Sequence, residues 1–210
     1  MTRCRSNRGM LQANDADSLS NTFFLDRCVG WSGICVEPQR KYHEALLSKR
    51  TCDIVPTCAS DAVRSAEFFN ADVLGGIVST NHHVQSAMNA SKHAPAGDKS
   101  ARKKAALLTR GHATETLKCV PLQTVLARRA LQHIDVMSLD VEGHELEVLQ
   151  GINWNRTQID LLIVEKNPRK DIIGAFLQSK GYTNRQDVHP EFWMSKGMRW
   201  GERESGQVCG

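Results

Sequence analysis

A cluster of acids begins where an apolar segment of the chain ends. The stretch "HIDVMSLDVEGHELEVLQGI", His133 to Ile152, is largely apolar through Leu139 and then presents Asp140, Glu142, His144, Glu145 and Glu147. Carboxylates and an imidazole at such spacing suit three kinds of work. A carboxylate or a neutral imidazole takes the proton of a hydroxyl as a new bond forms to its oxygen. Acids in a first helical turn favour the positive end of the helix. Neighbouring acids also hold divalent cations, but no ligand set is legible here and no metal is expected. Asp140 is the residue expected to line a reaction site, with His144 as a second base candidate. Glu142 is expected to steady the turn by accepting from backbone N–H groups.

Other acids stand at comparable places. Glu37-Pro38 ends "GWSGICVEP", Ser60-Asp61 ends "CDIVPTCASD", and Glu165 ends "IDLLIVEKNP". In open α/β sheets, ligands bind beyond the carboxyl ends of the strands, and an acid ending the second strand accepts from both hydroxyls of a ribose. That acid falls about 20 residues after the turn that follows the first strand. Counting back from Glu37 reaches "QANDADS", Gln12 to Ser18. Asn14, Asp15, Glu37, Pro38, Ser60, Asp61 and Asp140 are therefore expected around a nucleoside cofactor.

The elements that must position these residues follow from the hydrophobic pattern. "WSGICV" and "HIDVMSL" are short apolar runs, and "IDLLIVE" has five apolar residues in six positions, a continuity that means burial on both faces, as in a parallel sheet covered by helices. Between them, "RKYHEALLSKR" and "RKDIIGAFLQSKG" have the composition and periodicity of helices, and "YTNRQDVHPEFWMS" predicts a closing hairpin. Alternating strands and helices imply right-handed βαβ units and a doubly wound α/β fold. From about 81 to 114 the chain turns polar and basic around "HAPAGDKSARKK", which predicts a surface insertion in one domain spanning 1–210.

Composition bounds the remaining choices. A chain of 210 residues with net charge +4 is long enough for one sizeable core and only mildly basic. The insertion holds no aromatic side chain to stack on bases, so nucleic acid is a poor partner. No apolar stretch reaches the length of a membrane span, and a cytoplasmic setting is expected. The seven cysteines include no C-x-x-C pair, so neither a disulfide framework nor a zinc site is expected, and Cys35 reads as a core residue.

"SLDVEGHELEVLQGI", "GWSGICVEP", "DSLSNTFF" and "IDLLIVEKN" together resemble the FkbM-type family of S-adenosylmethionine-dependent methyltransferases, in order from about Asn14 to Trp193. The resemblance implies a class I methyltransferase (Rossmann-like) fold, S-adenosylmethionine as cofactor, and O-methylation of a hydroxyl on a sugar, natural product or similar small molecule. One departure is visible. The family's first strand runs into a G-A-N-D-G turn, whereas Gln12-Ala13-Asn14-Asp15-Ala16 keeps Asn14 and Asp15 and lacks both glycines. With only Met10 and Leu11 as apolar strand material upstream, the first strand is expected to be short or missing. The second reading is thus a weakened relative that serves as a binding module.

Overall fold

The computed structural model describes residues 9–12, 20–70, 74–93, 114–188 and 190–196. They form a mixed α/β structure with two sheets. The larger sheet contains β1 (Gly9–Gln12), β2 (Ser32–Val36), β3 (Asp53–Val55), β8 (His133–Leu139), β9 (Gln158–Glu165), β10 (Asn184–Val188) and β11 (Glu191–Ser195), in the order β10-β11-β9-β8-β1-β2-β3. Pairing is parallel from β9 through β8, β1 and β2 to β3, and the closing hairpin β10–β11 adds antiparallel strands at one edge. The first strand is present and short. It seats Met10 opposite Val136 and Leu11 opposite Met137, between β8 and β2.

The continuous apolar runs are buried on both faces. Val136, Leu161 and Ile163 pack with Leu25, Trp31 and Trp193 on one side. Met137, Leu139, Leu162 and Val164 enter the main core on the other, with Leu126, Leu149, Ile173 and Tyr182. Alternation along a strand sends successive side chains to opposite faces, so only a strand covered twice is apolar throughout. Each such side chain contributes about 1.5–3 kcal/mol when fully buried. The helices are α1 (Phe23–Arg27), α2 (Arg40–Lys49), α3 (His82–His93), α4 (Leu122–Arg128), α5 (Glu145–Gln150) and α6 (Lys170–Ser179); all but α3, whose Val84 packs with Phe69, contribute to the clusters on this sheet. A fully buried Arg50–Asp26 pair at 2.5 Å ties the end of α2 to α1. Among the described residues no helix is long and apolar enough to cross a membrane.

The described residues also form a smaller sheet, which no local sequence pattern predicts. It is built from β4 (Cys58–Ser60), β5 (Arg64–Phe69), β6 (Gly76–Ile77) and β7 (Thr114–Pro121), in the order β4-β7-β5-β6. "CDIVPTCASD" is therefore two strands rather than one. Pro56 falls between them, where a residue without an N–H cannot continue the ladder. The polar segment opening at Asn81 likewise begins as α3 rather than as a loop, and its other end, Thr114, already belongs to β7. Its basic centre lies outside the described residues.

The cysteines correct the sequence expectation. Cys35 bonds Cys52 and Cys58 bonds Cys119. Cys58 and Cys119 are direct cross-strand partners in the β4–β7 register, with Cα atoms 4.4 Å apart. Sequence separations of 17 and 61 show no short motif, because sheet register brings these pairs together.

Candidate active site

The turn after β8 is held from within. Glu142 at φ 56° and Gly143 at φ 104° reverse the chain between Asp140 and α5. Only glycine fits at 143, since a Cβ there would lie 2.2 Å from the Thr80 carbonyl oxygen. Glu145, at the start of α5, reaches back so that its Oε1 accepts from the N–H groups of Val141 and Gly143, both at 3.1 Å. Its other oxygen accepts from Asn167. Glu145, not Glu142, is the acid that steadies the turn, and it is fully buried rather than a solvated first-turn residue. The signal missing from the sequence was Asn167, which follows β9 and supplies the partner that makes burial possible.

Acids from two strand ends meet here. Asp140, Glu145 and Glu165 bring carboxylate oxygens within 4.8 Å of one another. Burial, with the charges of Asp140, Glu145 and Glu142 added, pushes Glu165 up to about 10. Burial, with Asp140 and Glu145 beside it, pushes Glu142 up to about 8. Glu145 is raised too, because burial outweighs its backbone hydrogen bonds. Without a cation Glu142 and Glu165 therefore keep their protons at neutral pH, and a cation entering this end of the sheet would draw them into the charged form.

His144 is buried, not exposed at the start of a helix. Its Nε2 lies 3.0 Å from Ser60 Oγ and its Nδ1 lies 3.1 Å from Thr80 Oγ1. Ser60 Oγ also bonds Asp61 at 2.9 Å, and Arg64 pairs with that same carboxylate. Burial drives the imidazole down to about 4, so it is neutral at physiological pH. The structure thus joins Ser60, Asp61 and His144 into one chain of contacts that locks α5 to the smaller sheet. Both ring nitrogens of His144 are thus engaged by hydroxyls.

Glu37 and Pro38 stand elsewhere, at the carboxyl end of β2, separated from β8 by β1. Glu37 is buried, and its Oε1 accepts from the Gln39 N–H at 2.7 Å, which fixes the carboxylate at the strand end. Asn14 and Asp15 lie outside the described residues. On the other side of the β8 turn, a cleft of about 530 Å³ is lined by Thr80, His82, Gln85, Glu147 and Arg169 among others. Arg169 Nη1 bonds both Glu147 oxygens, at 2.9 and 3.0 Å, and forms one wall. A volume of this size accommodates a small molecule.

No curated protein and no solved structure matches this chain. The model of the methyltransferase FkbM domain matches residues 11–190, from the end of β1 into the closing hairpin, and so includes every strand-end acid described above. A methyltransferase-type function and the need for a methyl donor follow from that match. The chain belongs to the FkbM methyltransferase family.

Proposed function

We propose that this protein is an S-adenosylmethionine-dependent O-methyltransferase acting on a hydroxyl of a sugar, natural product or similar small molecule. The observation that carries the reading is the placement of Glu37 and Asp140 at the carboxyl ends of two strands flanking β1, in a chain of this family. That strand order also supports the class I, doubly wound arrangement, whose ligand crevice opens where strand order reverses.

The residues present fit the cofactor. The fixed Glu37 carboxylate suits paired ribose hydroxyls, with Pro38 next to it in the chain. The Asp140 carboxylate, beside Glu145 and Glu165, is complementary to a positively charged sulfonium. S-adenosylmethionine supplies an electrophilic methyl group when bound. What remains for the chain is to align the acceptor, exclude water and remove a proton. Asp140 is the group assigned to the acceptor's proton or its orientation. Glu145, Asn167 and the Ser60–His144–Thr80 contacts hold the turn that aims it. The cleft beside Arg169 and Glu147 is the assigned acceptor pocket.

A second reading draws on Gln12, which ends β1 where the family turn has glycine. A chain that keeps the fold but grips the donor weakly would be a binding module. The two disulfides bear on the compartment, because such bonds persist where surroundings are oxidising, and they favour such a compartment over the expected cytoplasm. The test is transfer of labelled methyl groups to a panel of hydroxyl acceptors by wild type and Asp140→Asn. The substitution should abolish most transfer with an unchanged melting temperature. Transfer by Asp140→Asn at the wild-type rate would remove Asp140 from the reaction.

A further inference from the structure

Next to the β8 turn lies a group of ligating side chains that the methyl-transfer reading leaves unused. Asn81, fully buried, caps α3 by accepting from the Val84 N–H at 3.0 Å, while its Nδ2 donates to the Leu74 carbonyl at 2.9 Å. This fixes the first helical residues, His82 and His83, whose ring centroids are 4.1 Å apart. The β8 turn is pressed onto the same segment. A Cβ on Gly76 would sit 2.8 Å from Asn81 Nδ2 and 3.0 Å from Glu142 Cβ. Glu142 is thereby held at φ 56°, a backbone conformation that non-glycine residues adopt rarely and usually for a reason.

One ligand atom each from His82, His83 and Glu142 lies within 4.8 Å of the others. His83 Nε2 and Glu142 Oε2 are 3.4 Å apart. Ligands about 2.0–2.2 Å from a tetrahedral zinc ion are separated by roughly 3.4 Å, so this edge already has the right length. Among the described residues, Glu142 Oε2 and His82 Nδ1 are buried without a hydrogen bond. His82 also lines the cleft, which supplies an entry path.

We propose that His82, His83 and Glu142 form a three-ligand site for a divalent transition-metal ion, with zinc as the best-matched probe. Two imidazoles and a carboxylate with a coordination position left over is the ligand set of catalytic rather than structural ions. Resting on the methyl-transfer reading, the ion's role is to take the acceptor hydroxyl at that open position and lower its pKa. The O–H bond then breaks with its electron pair staying on the oxygen and its proton passing to Asp140, whose charge already acts on Glu142.

The experiment is a zinc titration of the tag-free full chain against a chromogenic chelator, with cobalt(II) absorption as a second readout. Neither needs donor or acceptor, so failure here is separable from failure of the methyl-transfer reading. Wild type should take up one equivalent tightly, and its cobalt spectrum should lack thiolate charge-transfer bands. His82→Gln/His83→Gln and, separately, Glu142→Gln should each weaken binding by no less than the roughly 10–100-fold that loss of an outer-shell partner costs. Glu142→Gln keeps the shape of the turn and decides the matter if the double variant does not fold. His133→Ala, in the exposed His133–Asp135–Asp160 group, should change nothing. The proposal is overturned if wild type takes up no zinc, if Glu142→Gln binds as tightly as wild type, or if binding instead falls in Glu165→Gln or His133→Ala.

Discussion

At the scale of single residues, the site rests on groups whose titration the fold has displaced. His144 is the clearest case, since it is buried with both ring nitrogens against hydroxyls. Its folded pKa of about 4 lies below the ordinary 6.5, so between those values the folded state binds fewer protons than the unfolded chain. Stability is therefore lost as pH falls from about 6.5 towards about 4, by up to about 1.4 kcal/mol per pH unit. The raised Glu142 and Glu165 carboxyls act in the opposite direction, losing stability as pH rises, but they are common to wild type and His144→Gln. Urea unfolding of both proteins across this range should show a steeper acid loss in wild type. Parallel curves would mean that His144 is protonated in the folded protein. Asp140 was legible from the sequence as a strand-end acid. The burial of Glu145 and His144 was not, because it depends on Asn167, Ser60 and Thr80, which no local pattern links to them.

Among the elements, those with strong periodicity matched their reading closely. β8, β9, α2, α6 and the β10–β11 hairpin stand where continuous apolar runs, amphipathic spacing and turn chemistry put them. The smaller sheet is not legible in the sequence because its longer strands, β5 and β7, are mixed in polarity and pair across long sequence separations. Arg64 pairs with Cys119 in that sheet, and Phe69 pairs with Thr114. For the same reason the disulfides were invisible. Closing a loop of 61 residues with Cys58–Cys119 should stabilise by roughly 4 kcal/mol, and closing 17 with Cys35–Cys52 by roughly 3 kcal/mol, on the chain-entropy account. Cys58→Ala/Cys119→Ala should therefore lower the melting temperature more than Cys35→Ala/Cys52→Ala. Peptide mapping without reductant should recover both linked pairs. Recovery of four free thiols would show that the cysteines only pack.

For the whole molecule, the account is that β1, β2 and β8 together open a crevice for a methyl donor, with Glu37 on one side of β1 and Asp140 on the other. The departure at Gln12 and Ala16 makes donor affinity the point on which the enzyme and binding-module readings part. The direct measurement is calorimetric titration of the full chain with S-adenosylmethionine, repeated on Glu37→Ala. Wild type should bind one equivalent, and the variant should bind more weakly by about 1.5–3 kcal/mol, the scale of hydrogen bonds to a charged group. Absence of binding to the wild-type chain, or an affinity that Glu37→Ala leaves unchanged, would contradict the account.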